Sequence, residues 1–161
     1  MRRITDYLLA DHERLSSLLA AATSRPDFDR DAFAAFRAGL LRHIAIEEKV
    51  LFPAARRARG GEPLSRAHDL RIEHAALTSL LVPSPDAALC AEIVSILHPH
   101  DTVEEGPDGV YVECENLMTE EESAALLASA RAFPVVPTSA HFDGPTVHRT
   151  GCLHRGGLRR R

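Results

Sequence analysis

At 161 residues, 45% of them apolar, the chain is long enough to bury one real core and too short for several. Its formal net charge of −4 is unevenly spread: residues 1–133 carry 14 basic and 22 acidic side chains, residues 134–161 carry 5 and 1. An acidic body repels phosphate backbones, which argues against a nucleic-acid partner, and no apolar run approaches the roughly 18 residues of a membrane span.

Arg2-Arg3 is followed by Ile-Thr-Asp rather than by an uncharged signal-peptide core, so the expected location is the cytoplasm. Cys90, Cys114 and Cys152 are odd in number and far apart. That spacing suits neither a disulfide framework nor a zinc CxxC pair, and predicts free thiols.

Helical periodicity dominates, and the expected class is all-α. A first helix is predicted from Thr5, as N-cap, to about Ala22, with Leu8, His12, Leu15 and Leu19 inward. A second, from about Asp29, places Phe33, Phe36, Leu40, His43, Glu47, Val50 and Ala54 on one stripe before Gly60-Gly61 closes it. A third, beginning after Pro63, lines up Leu64, Ala67, Leu70, His74, Leu77 and Leu81. The fourth, from about Asp86, sets Leu89, Ile93, Ile96, His100 and Glu104 inward, with a kink expected at Pro99. After the breaker Gly106-Pro-Asp-Gly109 a short connector leads to Thr119-Glu-Glu-Glu122, a capping-box sequence opening a short fifth helix to about Ala132. The expected organisation is a bundle over residues 1–115, the extra helix within 116–133, and an irregular basic tail, wrapped over the body or mobile, at 134–161.

An internal repeat organises these pieces. Asp11-His12-x-x-Leu15 with Leu18-Leu19 matches Glu73-His74-x-x-Leu77 with Leu80-Leu81. His43-x-x-x-Glu47-Glu48 followed by Leu51-Phe52 matches His100-x-x-x-Glu104-Glu105 followed by Val110-Tyr111. Two copies of a helical hairpin each supply one lone His and one HxxxE pair.

Six ionisable groups, His12, His43, Glu47, His74, His100 and Glu104, therefore face one core. A buried charge without a partner costs several kcal/mol against a total stability of about 5–15, so the groups must pair or be neutralised by cations. Imidazole and carboxylate without thiolate suit iron, manganese or zinc, and paired HxxxE helices favour a dinuclear centre, iron first. Two bridging Glu and four capping His give each metal about four donors and leave open positions for a small ligand. Glu48, Glu105 and Glu73 are expected outside the ligand set, exposed or hydrogen-bonded to it. His68 is expected at the surface; His98 competes with His100, which is preferred because it alone has a Glu four residues on. The tail residues His141, His148, Cys152 and His154 lack metal spacing and carry no assigned role.

On these motifs, between about residues 5 and 115, the chain resembles the hemerythrin-like, or HHE cation-binding, family. The resemblance implies an up-and-down four-helix bundle with two iron ions, oxo- or hydroxo-bridged, that takes dioxygen, peroxide or nitric oxide. Similar proteins include oxygen carriers, sensors, iron-cluster repair proteins and peroxide-decomposing, catalase-like proteins. Leu70 stands where oxygen carriers have a further His, and Glu104 where they typically have Asp, which shifts the expectation from reversible carriage to redox detoxification or sensing. Non-catalytic iron storage or reversible gas binding is the alternative, and a zinc-stabilised structural bundle a weaker one, since zinc prefers closed four-coordinate sites. No redox-partner motif is legible.

Overall fold

The computed structural model describes residues 2–144, and every regular element among them is helical. The elements are α1 (Ile4–Thr23), α2 (Arg30–Ile46), a π-helical segment (Glu47–Leu51), α3 (Phe52–Ala58), α4 (Ala67–Leu80), α5 (Ala87–Glu105), α6 (Val110–Leu117) and α7 (Glu120–Ala132). None is long and apolar enough to cross a membrane.

Local chemistry sets several of the ends. The Asp29 carboxylate accepts from the Asp31 and Ala32 amides (3.1 and 2.9 Å) and starts α2, and the Asp86 carboxylate accepts from Leu89 N (2.7 Å) and starts α5. Thr119 and Glu122 cap α7 reciprocally: Glu122 N donates to Thr119 Oγ1 (3.2 Å) and Thr119 N to Glu122 Oε2 (2.8 Å). Gly60 and Gly61 end α3 with φ of 73° and 100°, a conformation open to glycine at little cost.

Four expectations are corrected by tertiary contacts. Thr5 is not the N-cap of α1; Arg3, two residues earlier, holds that position. Ile4 is fully buried, its amide donates to Ser123 Oγ of α7 (3.3 Å), and the Thr5 hydroxyl turns to Glu115 of α6. Helix α4 begins at Ala67, not after Pro63; Leu64 is buried in the preceding turn, and Glu113 holds Ser65 by its amide and hydroxyl. The connector before α7 contains the helix α6, because Val110, Tyr111 and Cys114 all bury on one side. The inward stripe of the second helix shifts after Glu47: the buried residues are Leu51 and Ala55, whereas Val50 and Ala54 are half-buried. The π turn at 47–51 accommodates one extra residue and so advances the stripe by one position. At Pro99, where a kink is expected, α5 continues as one helix to Glu105.

Buried apolar side chains form two clusters. One contains Leu15, Leu19, Phe33, Phe36, Leu40, Leu77, Leu80, Leu89 and Ile93; the other contains Ile4, Leu8, Ile46, Leu51, Leu70, Val110, Tyr111 and Leu127. Along the chain, α1 passes from the second cluster to the first, α2 with α3 returns, α4 passes to the first again, and the α5–α6 stretch returns. The predicted inward histidines lie where each helix changes cluster. A polar layer thus sits between two apolar ends.

Helix α7 packs across α1 and the π segment, and Arg42 fixes its C-terminal end. The guanidinium donates to the carbonyls of Ala130 (2.7 Å) and Phe133 (3.1 Å) and to the Tyr7 hydroxyl (2.7 Å). Residues 134–144 are irregular but pinned at intervals: Arg37 Nη1 donates to Ser139 O (2.8 Å), Phe142 N to Val82 O (2.9 Å), and Ser84 N and Oγ to the Asp143 carboxylate (2.7 Å each). The expected tail residues His148, Cys152 and His154 lie outside the described residues. Cys90 and Cys114 are free buried thiols, held protonated by burial, which raises them to about 11 and about 12.

Candidate metal centre

The polar layer brings all six predicted side chains together. Glu47 and Glu104 are fully buried, His43, His74 and His100 are at most 3% exposed, and His12 is nearly so. They fall into two overlapping groups, His12–His43–Glu47–Glu104 and Glu47–His74–His100–Glu104, within each of which the candidate ligand atoms lie within 4.8 Å of one another. Both carboxylates are shared. Glu47 Oε1 faces His43 Nε2 at 3.5 Å and its Oε2 faces His74 Nε2 at 3.3 Å. Glu104 Oε2 lies 3.4 Å from His12 Nε2 and 3.3 Å from His100 Nε2.

Every ring is oriented from behind. His12 Nδ1 meets Glu105 (2.5 Å), His43 Nδ1 meets Asp11 (3.1 Å), His74 Nδ1 meets Glu48 (3.0 Å) and His100 Nδ1 meets Glu73 (2.8 Å). An ionised carboxylate only accepts, so each Nδ1 carries a hydrogen and each Nε2 points inward. Carboxylate–imidazole pairs of this kind orient metal-binding histidines and raise their basicity. The repeat explains the pattern: the acid before each lone His (Asp11, Glu73) supports the His of its own hairpin's HxxxE pair, and the acid after each Glu (Glu48, Glu105) supports the lone His of the other hairpin.

Electrostatics in this layer are extreme. Burial opposes protonation of His43, but the facing Glu47, aided by Asp11, overcomes it and pushes the ring up to about 10. His100 rises to about 9 as Glu104 and Glu73 outweigh its burial, and His74 rises as Glu47 and Glu48 do the same. Burial would raise Glu47, yet His43 and His74 hold it well below the usual carboxylate range. Glu104 goes the other way, raised by burial and by the negative Glu47 beside it.

The donor set fits a cation. Three of the six buried side-chain atoms left without a hydrogen-bond partner among the described residues belong to it: Glu47 Oε2, His74 Nε2 and Glu104 Oε1. His12 Nε2 and His43 Nε2 lie 2.8 Å apart although both rings already donate from Nδ1. As neutral rings they would point lone pair at lone pair, an arrangement that a proton or a shared cation relieves.

His68 and His98 are exposed, and the helix through Pro99 turns His100 inward. Two residues of the site escape sequence reasoning. Asp11 is legible only as the repeat mate of Glu73. Tyr111 is legible only as the repeat mate of Phe52: its ring stacks on His12 (centroids 5.8 Å apart, 22°) as Phe52 stacks on His74 (6.4 Å, 6°). Unlike Phe52 it brings a hydroxyl, which donates to Glu47 Oε1 (2.6 Å) and lies 3.3 Å from Glu104 Oε2. Gly109 makes this placement possible, since a Cβ there would come within 2.4 Å of the Glu104 carbonyl oxygen in the turn that leads into α6.

A cleft of about 440 Å³ between α1 and α5, with α2 at its base, leads to His12, His43 and His100. Its walls are mostly apolar, among them Leu15, Leu19, Leu40, Val94 and Leu97.

Buried imidazoles shared out around two carboxylates, on helices that cross a common polar layer, define a helical cation-binding protein. Its relationship is shown by sequence comparison: a family model, Hemerythrin HHE cation binding domain, matches residues 3–106, and the chain belongs to that family. No curated protein and no solved structure matches it.

Proposed function

We propose that the four long helical stretches form the up-and-down bundle of this family and hold about two iron ions per chain, one in each overlapping group, with His12, His43, Glu47, His74, His100 and Glu104 as ligands. The pair takes dioxygen or peroxide, with nitric oxide as a further candidate, for redox detoxification or sensing. The observation that carries this reading is the sharing of Glu47 and Glu104 between both groups, an arrangement suited to two ions bridged by carboxylates rather than to one closed tetrahedral zinc.

Iron bound here supplies a one-electron redox couple and open positions for a small ligand. The chain's own part is separable. Asp11, Glu48, Glu73 and Glu105 fix the four rings with Nε2 inward, and the apolar walls of the cleft admit a small neutral molecule while limiting water.

Metal analysis of protein produced with iron and purified without a histidine tag tests this directly. About two irons per chain, lost in His43→Ala, and steady peroxide consumption that disappears in Glu47→Ala are expected. Iron binding with an unchanged peroxide rate in Glu47→Ala sinks the catalytic version; zinc alone, or no metal in a folded protein, sinks the redox reading.

A further inference from the structure

Tyr111 stands in the polar layer outside the six-ligand set, and it lies beyond the residues matched by the family model, 3–106. Its side chain is 3% exposed, and stacking on His12 holds its hydroxyl in the layer. That oxygen is 2.6 Å from Glu47 Oε1, 3.3 Å from Glu104 Oε2 and 3.4 Å from His12 Nε2.

These spacings have a specific meaning around a cation. Nitrogen and oxygen ligands at about 2.0–2.2 Å from a metal, when set at right angles, lie about 2.8–3.1 Å from one another. The proposed ligands stand at that separation or somewhat wider: 2.8 Å for His12–His43, 3.4 Å for His12–Glu104 and 3.5 Å for His43–Glu47. The Tyr111 oxygen therefore occupies a ligand's place with respect to three atoms of the His12–His43–Glu47–Glu104 group. On the other half of the repeat the equivalent ring is Phe52, which has no donor to offer.

We infer, on the iron reading above, that Tyr111 is a further metal ligand, its phenolate oxygen joining His12, His43, Glu47 and Glu104 on one cation. The phenol proton is released to solvent as the cation takes its place, so the charge of the layer is better matched by the metal. One cation then has five protein donors and the other, between His74 and His100, has four. The two positions are chemically different despite the repeat, and the less crowded one is left with more room for an outside ligand.

Ferric phenolate is coloured, which gives a readout independent of turnover. The full chain, loaded with iron in air, is expected to show a broad visible charge-transfer band, with tyrosinate ring modes in resonance Raman that shift when the protein is made with ring-deuterated tyrosine. Tyr111→Phe is expected to keep its iron and lose the band. The chain's other tyrosine, Tyr7, is engaged by Arg42 at 2.7 Å, and Tyr7→Phe is expected to keep both band and isotope shift. That result identifies Tyr111 even if Tyr111→Phe fails to fold or to load. Wild-type protein with about two irons and no such band, or a band that survives in Tyr111→Phe, overturns the ligand assignment and leaves the iron reading standing. Wild-type protein that takes up no iron overturns both.

Discussion

At the scale of single residues, the site is built from pairs rather than from isolated ligands. Each imidazole is useful to a cation because a carboxylate behind it fixes the hydrogen on Nδ1. Asp11→Asn keeps the shape of its side chain but weakens the hold on His43, and should lower metal affinity about 10- to 100-fold, as measured by competition against a chelator. Glu73→Gln should do the same through His100. The protonation pattern gives a second prediction. In metal-free protein the His43 and His100 rings are pushed up to about 10 and about 9 from an ordinary 6.5. Raised pKa values mean that folding is favoured by their protonation; this contribution is full below about pH 6.5 and is lost as the pH climbs through 9 to 10. Thermal melts of chelator-treated protein should therefore fall across that window, whereas iron-loaded protein, in which the cation has replaced the protons, should not follow the same curve.

At the scale of elements, sequence periodicity located the helices that carry the six candidate ligands, because a polar residue on an apolar stripe is conspicuous. It missed the π turn because Val50 and Leu51, and likewise Ala54 and Ala55, are both plausible core residues; only packing decides between them. Helix α6 was hidden because eight residues after a Gly-Pro breaker carry too little periodicity to stand out. Asp11 and Tyr111 were hidden for a different reason: their roles depend on which side chains of other helices they meet, and that is a tertiary property. The π turn itself can be tested. Deleting exposed Lys49 from it would restore ordinary helical winding, in which Leu51 and Ala55 stand three and seven residues after Glu47 and so stay on the inward stripe. Phe52, then four residues after Glu47, likewise keeps its place on the face of His74. Retained iron with only a small change in thermal midpoint is expected; a deletion variant that loses iron would show that the widened turn itself shapes the centre.

At the scale of the whole molecule, part of the stability comes from contacts outside the polar layer. Arg37, 9% exposed and next to Phe36 of the first apolar cluster, ties the irregular 134–144 segment to α2 through Ser139. Arg37→Ala should cost about 1–3 kcal/mol, seen as a shift in denaturant midpoint, and should leave iron content and the visible spectrum unchanged. The opposite outcome, iron loss with little change in midpoint, would mean that the strap helps to shape the centre.

The exchange of carboxylates between the hairpins has a mechanical side. Each group takes both its histidines and one Glu from a single hairpin and its other Glu from the opposite one. A pair of bound cations would thus stitch the seam between the two halves twice, once from each side. The link between the halves, with Gly60 and Gly61 at its start, would then be a tether rather than a brace. Two hairpins made as separate chains should find one another in the presence of the metal and drift apart in its absence, so that filling the centre and assembling the molecule become the same event.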